Sequence, residues 1–238
     1  MKKFIIAILL SLLPILSQAA PPPVKEYLTL QLGGYFGTQG KSQHITMQEI
    51  IGDTFNIKKS TQFNGTVGLG YFFVDPTVRS FEMNYGINLF FLPKTSAYGQ
   101  IVQEDLFANL SYQYSVTHYP MYFIAKSIFQ PLANEYALTL DAGVGPNFTK
   151  AAYFEEASLD SGITIPQRTF LSRSDTTFAA TAGIGIKKEN VFGHAPLECG
   201  YRFMYLGKNY LTPSGSQILS KLYTGTMYAN AILCAIAI

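Results

Sequence analysis

Between Gln62 and Leu92 the chain alternates with period two, and the alternation has the wrong polarity for a soluble domain. Phe63, Gly65, Val67, Leu69, Tyr71 and Phe73 take every second position, with Gln62, Asn64, Thr66, Gly68 and Gly70 between them. After the turn signal Asp75-Pro76-Thr77 the pattern resumes with Phe81, Met83, Tyr85, Ile87, Leu89 and Phe91 against Glu82, Asn84, Gly86 and Asn88. Successive side chains of a strand point to opposite faces, so this stretch predicts a hairpin with one apolar face and one small or polar face. In a soluble sandwich or lipocalin-like barrel the face away from the core carries Lys, Glu and Asp. Here it carries mostly Gly, Asn, Thr and Gln, and charged residues are 13% of the chain against about 25% in ordinary soluble domains. Apolar outside and polar inside is the pattern of an all-β, closed antiparallel transmembrane β-barrel, with strands of about ten residues around a polar lumen.

The N-terminus agrees with export. Lys2 and Lys3 precede the apolar run Phe4–Leu16, followed by Ser17-Gln18 and the small pair Ala19-Ala20, the three parts of a secretory signal peptide. Cleavage after Ala19 puts Ser17 and Ala19 at the small-residue positions and keeps Pro21 off the first mature position. The expected organisation is therefore a cleaved signal segment 1–19 and a barrel domain 20–238. A retained anchor needs about 20 apolar residues, and this run is shorter and interrupted by Pro14. An exported chain rich in Tyr and Phe, with no spanning helix expected, fits a bacterial outer membrane and does not suggest nucleic acid as a partner.

The same alternation recurs along the chain. A first strand sets Leu28, Leu30, Leu32 and Phe36 against Tyr27, Thr29, Gln31 and Gly33. The connection Thr38–Ser60 follows, and its centre Ile45–Ile51 predicts a short amphipathic helix over the barrel mouth, ended by Gly52. Pro93–Asp105 reads as a second loop. In the fourth strand, Leu106–Phe129, the apolar set moves from Leu110, Tyr112, Tyr114 and Val116 to Met121, Phe123, Ala125 and Phe129. A change of parity at Pro120 predicts a β-bulge there and an inward Lys126. Three further strands and the terminal stretch Lys221–Ile238 are separated by short turns and by the loops Lys150–Ser174 and Lys208–Ser220. The sum is about eight strands, or ten if the first or third long loop hides a hairpin. Alternating short and long connections, with an even strand number, put both termini on the periplasmic side and the long loops outside.

The stretches Asn64-Gly65-Thr66-Val67-Gly68-Leu69-Gly70-Tyr71-Phe72 and Asp141-Ala142-Gly143-Val144-Gly145 look like strand motifs of small outer-membrane barrels. In plan, nearly the whole mature chain resembles the opacity and OmpW/OmpX-like group. The chain ends Ile236-Ala237-Ile238, where that group commonly ends in an aromatic residue. The resemblance implies a non-enzymatic surface role: envelope integrity, adhesion or host contact, with affinity in the loops and outer-membrane lipid and lipopolysaccharide as partners. Its OmpW side implies the alternative, a channel for small hydrophobic molecules.

Chemistry-bearing residues are few. Gly68/Gly70, Gly143/Gly145 and Gly183/Gly185 lack the third glycine and following helix of a phosphate-binding loop, and are expected to make room inside a narrow barrel. Glu82, Lys126, Asp141, Glu198 and Arg202 fall on inward parity from different strands, and enclosed charges must pair, so a lumen ion-pair network is expected. A mouth pocket for an apolar molecule would draw on Phe36, Met47, Ile51 and Phe90. His44, His118 and His194 do not converge and give no metal spacing, so neither metal nor cofactor is expected. Ser42 and His44 are the best pair for a lipid A-modifying enzyme, but a loop Ser and His two residues apart are more often simply solvated. Cys199 and Cys234 fall at similar heights on neighbouring strands, either as a disulfide or as two separate small residues. Intact mass of the protein extracted from envelopes should give a mature chain beginning at Ala20; a mass that retains Met1–Ala19 contradicts the cleavage assignment.

Overall fold

The computed structural model describes residues 25–58, 61–75, 81–133, 135–191 and 195–238. The signal segment, the Pro76-Thr77 turn and His194 lie outside these residues. The strands are β1 Glu26–Thr38, β2 Gln43–Ile45, β3 Asp53–Lys58, β4 Thr61–Asp75, β5 Glu82–Gln103, β6 Phe107–Ala133, β7 Tyr136–Ser158, β8 Phe170–Leu171, β9 Arg173–Val191, β10 Ala195–Pro213 and β11 Leu222–Ala237. Eight of them, β1-β4-β5-β6-β7-β9-β10-β11, form an antiparallel ring. β1 closes it on β11, from Thr29↔Ala237 to Thr38↔Tyr228.

The β4–β5 hairpin has the inverted polarity. Val67, Leu69 and Ile87 face outward, with Leu69 58% exposed, as do Leu28, Leu32, Leu140, Val144, Ile184 and Ile232. Asp141, Lys126, Arg202, Asn84 and Asn88 face inward and are buried. Inward glycines give the lumen its room: a Cβ at Gly68 would lie 2.5 Å from the Phe90 ring, and one at Gly183 2.7 Å from Asp141 Oδ2.

Several local expectations fail. Ile45–Ile51 forms no helix; β2 ends at Ile45, Glu49 has a φ of 65° and Gly52 one of 95°. A two-turn helix cannot repay its nucleation cost, and here strand-like contacts compete with it. Gln48 N donates to Gln217 O, Leu219 N donates to Thr46 O, and Met47 bridges Ile218. The first long loop does hide a hairpin, β2–β3, but it does not enter the ring. β3 instead pairs with the loop end of β5, from Asp53↔Gln103 to Lys58↔Tyr98, beyond the stretch that β4 occupies. Much of the other expected loops is also strand, since β5 runs to Gln103, β7 to Ser158 and β10 to Pro213.

There is no bulge at Pro120. Leu110, Tyr112, Tyr114, Val116, His118, Tyr122, Ile124, Lys126 and Ile128 all lie on the inner face and are buried. Lys126 thus points inward without a change of parity. The register irregularities of β6 with its neighbours lie between Leu92 and Thr95 and between Ile101 and Val102 of β5, and toward β7 between Gln113 and Ser115, where Tyr153 has a φ of 58°, and between Phe129 and Ala133. What changes along β6 is the polarity of the barrel interior. In the half holding the termini, Asn84, Asn88, Lys126, Asp141 and Arg202 share it with Phe72, Phe90, Tyr122 and Ile124. Toward the loops it becomes an apolar core of Phe55, Ile101, Leu110, Tyr112, Phe154, Phe170 and Leu211. Phe55 lies 5.0 Å from Tyr112 and 5.7 Å from Phe170, and Phe154 5.3 Å from Phe170.

The outer surface changes in the opposite sense. The dense run of outward apolar residues ends at a border of Phe36, Phe63, Phe91, Tyr119, Phe148, Phe178, Tyr205 and Tyr228, beyond which Tyr98, Tyr153 and Tyr223 are scattered among polar residues. Ring contacts Phe36–Phe63, Phe91–Tyr119 and Tyr205–Tyr228 run along it at 5.1, 5.4 and 5.8 Å. Beyond the border the wall shows Thr117, Gln113, Ser111, Lys150 and Lys208. A belt of about ten residues per strand, bordered by aromatic rings, matches hydrocarbon and its interface; the remainder of the wall is built as a protein in water is built. Leu69→Arg is expected to cost about 2–4 kcal/mol of folding stability in vesicles, and Gln113→Arg within about 0.5 kcal/mol; denaturant titration of the two variants checks the contrast.

Candidate functional site

The lumen is filled in three tiers. In the tier nearest the termini, Lys126 Nζ of β6 donates to Glu198 Oε2 of β10 at 2.7 Å, and Thr139 Oγ1 donates to Glu198 Oε1 at 2.9 Å. Arg202 Nη2 of β10 donates to Asp141 Oδ2 of β7 at 2.8 Å. Gly183 of β9 is the register partner of both Arg202 and Asp141, so a residue without a side chain leaves the gap through which the pair meets. Lys126 also lies 5.1 Å over the Phe72 ring and Arg202 5.6 Å over Phe90. Glu82 is not drawn into these two pairs; it accepts from Asn84 Nδ2 at 2.8 Å. Beneath this tier a vestibule of about 610 Å³, lined by Glu26, Tyr27, Glu82, Lys187 and Ile238 among others, ends at Glu198.

The middle tier is neutral and hydrogen-bonded. Asn147 Nδ2 donates to His118 Nδ1 at 3.0 Å and to Leu206 O at 2.7 Å. Where β5 bulges after Leu92, its freed carbonyls are capped from the lumen: Tyr35 OH donates to Pro93 O at 2.7 Å and Gln39 Nε2 to Thr95 O at 2.6 Å. A buried carbonyl left without a donor is costly, which accounts for polar side chains at this height. Sequence reasoning missed these residues. Asn147 was open to it, because it continues the inward parity of Asp141, Gly143 and Gly145; Tyr35 and Gln39 were not, because their partners exist only once β5 bulges.

The apolar core is the third tier, and above it lies a cavity of about 550 Å³ under the loops. Met47 lines this cavity, as the mouth-pocket expectation required, but the other three residues do not. Ile51 is exposed and its neighbour Ile50 lines the cavity instead. Phe36 has outward parity and packs on Phe63 at the lipid border, while Phe90 is buried beside Arg202 well below the mouth. The walls also carry Asp53, Glu104 and Glu156. Burial pushes the Asp53 carboxyl above the usual carboxylate range, against the opposing hydrogen bond from Glu104 N. Burial likewise raises Glu156, although Thr169 Oγ1 and Gln167 N donate to it. In the loop after β7, Asp160 is held down to about 2 by hydrogen bonds, first from Ser158 Oγ and then from Thr164.

Ser42 and His44 do not meet as a catalytic pair. Ser42 Oγ accepts from Ile57 N at 3.0 Å, and His44 uses Nδ1 on Thr54 Oγ1 and Nε2 on Ile51 O. Cys199 and Cys234 are register partners on β10 and β11 with their sulfurs 2.11 Å apart, a disulfide. Both have outward parity, so the bond lies on the lipid side of the wall near the termini.

A wall closed on itself, apolar toward hydrocarbon and polar within, defines a small outer-membrane β-barrel. No protein-family model matches the chain, and no curated protein matches it. Among solved structures it is similar to OprG of Pseudomonas aeruginosa, at 13% identity over 88% of this chain and 95% of that one, with a TM-score of 0.46. It is also similar to Neisserial surface protein A, at 8% identity over 89% and 96% of the two chains and a TM-score of 0.40. A third is Ail, the attachment invasion locus protein of Yersinia pestis, solved with the heparin analogue sucrose octasulfate: 10% identity, 90% and 99% coverage, TM-score 0.35. At this level of likeness no functional property passes from them to this chain.

If the lumen pairs act as a unit, Arg202→Met alone should cost about 3–5 kcal/mol by leaving Asp141 uncompensated, and adding Asp141→Leu should recover much of that loss. Denaturant unfolding followed by the folded-to-unfolded gel shift measures both.

Proposed function

We propose that this outer-membrane barrel is a non-enzymatic surface protein, with a plugged lumen that holds a rigid platform for loop-mediated contacts with the cell exterior. The observation that carries the reading is the filling between the two cavities: the ion pairs, then the Asn147–His118 tier, then the apolar core, with voids of about 30 Å³ beside the ion pairs and about 10 Å³ beside His118. A closed eight-stranded barrel has an interior only just wide enough for side chains, and here those side chains are paired or packed. The strands continue past the hydrophobic belt and end in the loops around 159–169 and 214–221, braced by β2, β3 and β8. Binding residues are commonly carried on loops held by a rigid scaffold. The separate engagements of Ser42 and His44 favour a surface role over lipid A chemistry.

The channel alternative needs a path from the outer cavity to lipid or to the vestibule. Phe55 and Leu110 line that cavity and belong to the core beneath it, which counts against such a path. Purified barrels in planar bilayers are expected to give no stepwise conductance, whereas steady single-channel steps would contradict the plugged lumen. Replacing residues 159–169 with a Gly-Ser linker should preserve the heat-shifted gel band and abolish adherence of expressing cells to host matrix; undiminished adherence would count against the loops as the contact surface.

A further inference from the structure

Just beyond the aromatic border, the register of three strands sets two lysines around a threonine on the outer surface. Leu92↔His118 and Thr95↔Val116 bracket Lys94 opposite Thr117, and Thr117 pairs with Lys150. Lys94 and Lys150 are exposed and have outward parity. One step toward the membrane, Phe91, Tyr119 and Phe148 form the corresponding aromatic row, with Tyr119↔Phe148 in register and Phe91 stacked 5.4 Å from Tyr119. Further down the same column Phe123↔Val144 faces lipid. The patch therefore joins a cationic row at the headgroup level to an apolar strip at the level of the acyl chains.

The local charge balance is one-sided. Lys94 Nζ sits 5.1 Å over the exposed Tyr153 ring, an aromatic rather than an anionic partner. Of the acids on neighbouring stretches, Glu155 accepts from Gln113 Nε2 at 2.7 Å, and Asp175 lies 3.7 Å from Arg173. Strands β5 and β7 flank β6, so the two lysine backbones stand about 10 Å apart. That distance lets both flexible ammonium groups reach one tetrahedral anion above the Thr117 hydroxyl. Two strongly hydrated point charges at the edge of a hydrocarbon belt complement a phosphate tethered to acyl chains.

We infer that Lys94, Thr117 and Lys150 form a headgroup site for a phosphate of an outer-leaflet glycolipid of the lipopolysaccharide type, with its acyl chains lying over Phe91, Tyr119, Phe148 and Phe123. The site rests on the outer-membrane assignment but not on the plugged lumen or the loop contacts. It places the lipid partner at a particular point of the wall and keeps the three strands at the headgroup plane.

The test measures binding of fluorescent diphosphoryl lipid A to the full barrel in nonionic detergent, with each protein first checked for a heat-dependent gel shift. Lys94→Gln/Lys150→Gln is expected to remain heat-modifiable and to bind about thirty-fold more weakly than wild type. Wild type should bind dephosphorylated lipid A as weakly as the double variant binds the phosphorylated lipid. Lys25→Gln/Lys187→Gln, the same charge change at the opposite end, should keep wild-type affinity. A folded Lys94/Lys150 variant with undiminished affinity overturns the site. Displacement of the lipid by equimolar inorganic phosphate overturns the lipid as its ligand. A wild-type protein with no heat-dependent shift contradicts the barrel itself and the site with it.

Discussion

Inside a bilayer a backbone amide or carbonyl that lacks a partner costs several kcal/mol, so a sheet that crosses must close on itself. In this chain the closure is the β1–β11 ladder, ten register pairs from Thr29↔Ala237 to Thr38↔Tyr228. Once the ring is closed, strand alternation sends every second residue to hydrocarbon and the rest to a narrow enclosed lumen. Charges on the inner face must then find each other, and Gly183 gives Asp141 and Arg202 the space to do so.

The same wall continues beyond the aromatic border into water, and there the physical requirement reverses. Phe55, Tyr112, Phe154 and Phe170 fill the interior while Gln113, Thr117 and Lys150 face solvent. The two regimes share strands without a break: β6 carries Lys126 and Tyr112 on one inner face, fourteen residues apart in sequence. The lumen ion pairs, the outer cavity and the cationic row beyond Tyr119 all follow from where that border falls. Cross-pairing of β3 on the loop end of β5 extends the sheet where β4 stops, so the platform for the loops is itself hydrogen-bonded.

The fold was legible because period two with an uncharged polar face has few physical solutions. The inward parity of Glu82, Asp141, Glu198 and Arg202 followed directly from it. Where the expectations failed, the cause was a second environment. Alternation would turn Tyr112 and Tyr114 to lipid only if the whole of β6 crossed the membrane, and the parity change expected at Pro120 follows from that assumption. The Ile45–Ile51 segment carries a helix-like apolar pattern, but its structure is decided by Gln217, Ile218 and Leu219, far away in sequence. The mouth pocket failed for a simpler reason: Phe36 belongs to a strand whose alternation already assigned it to lipid.

The border between the two regimes is accessible to solution NMR of the uniformly 13C,15N-labelled barrel in lipid nanodiscs, comparing a relaxation agent carried in the acyl chains with one confined to water. The account predicts that the chain-borne agent attenuates Val67, Leu69, Ile87 and Leu140, while the aqueous agent reaches the side chains of Thr117, Gln113 and Ser111 and leaves those methyls untouched. Attenuation of Leu69 and Leu140 by the aqueous agent, or of Gln113 by the chain-borne one, would contradict it.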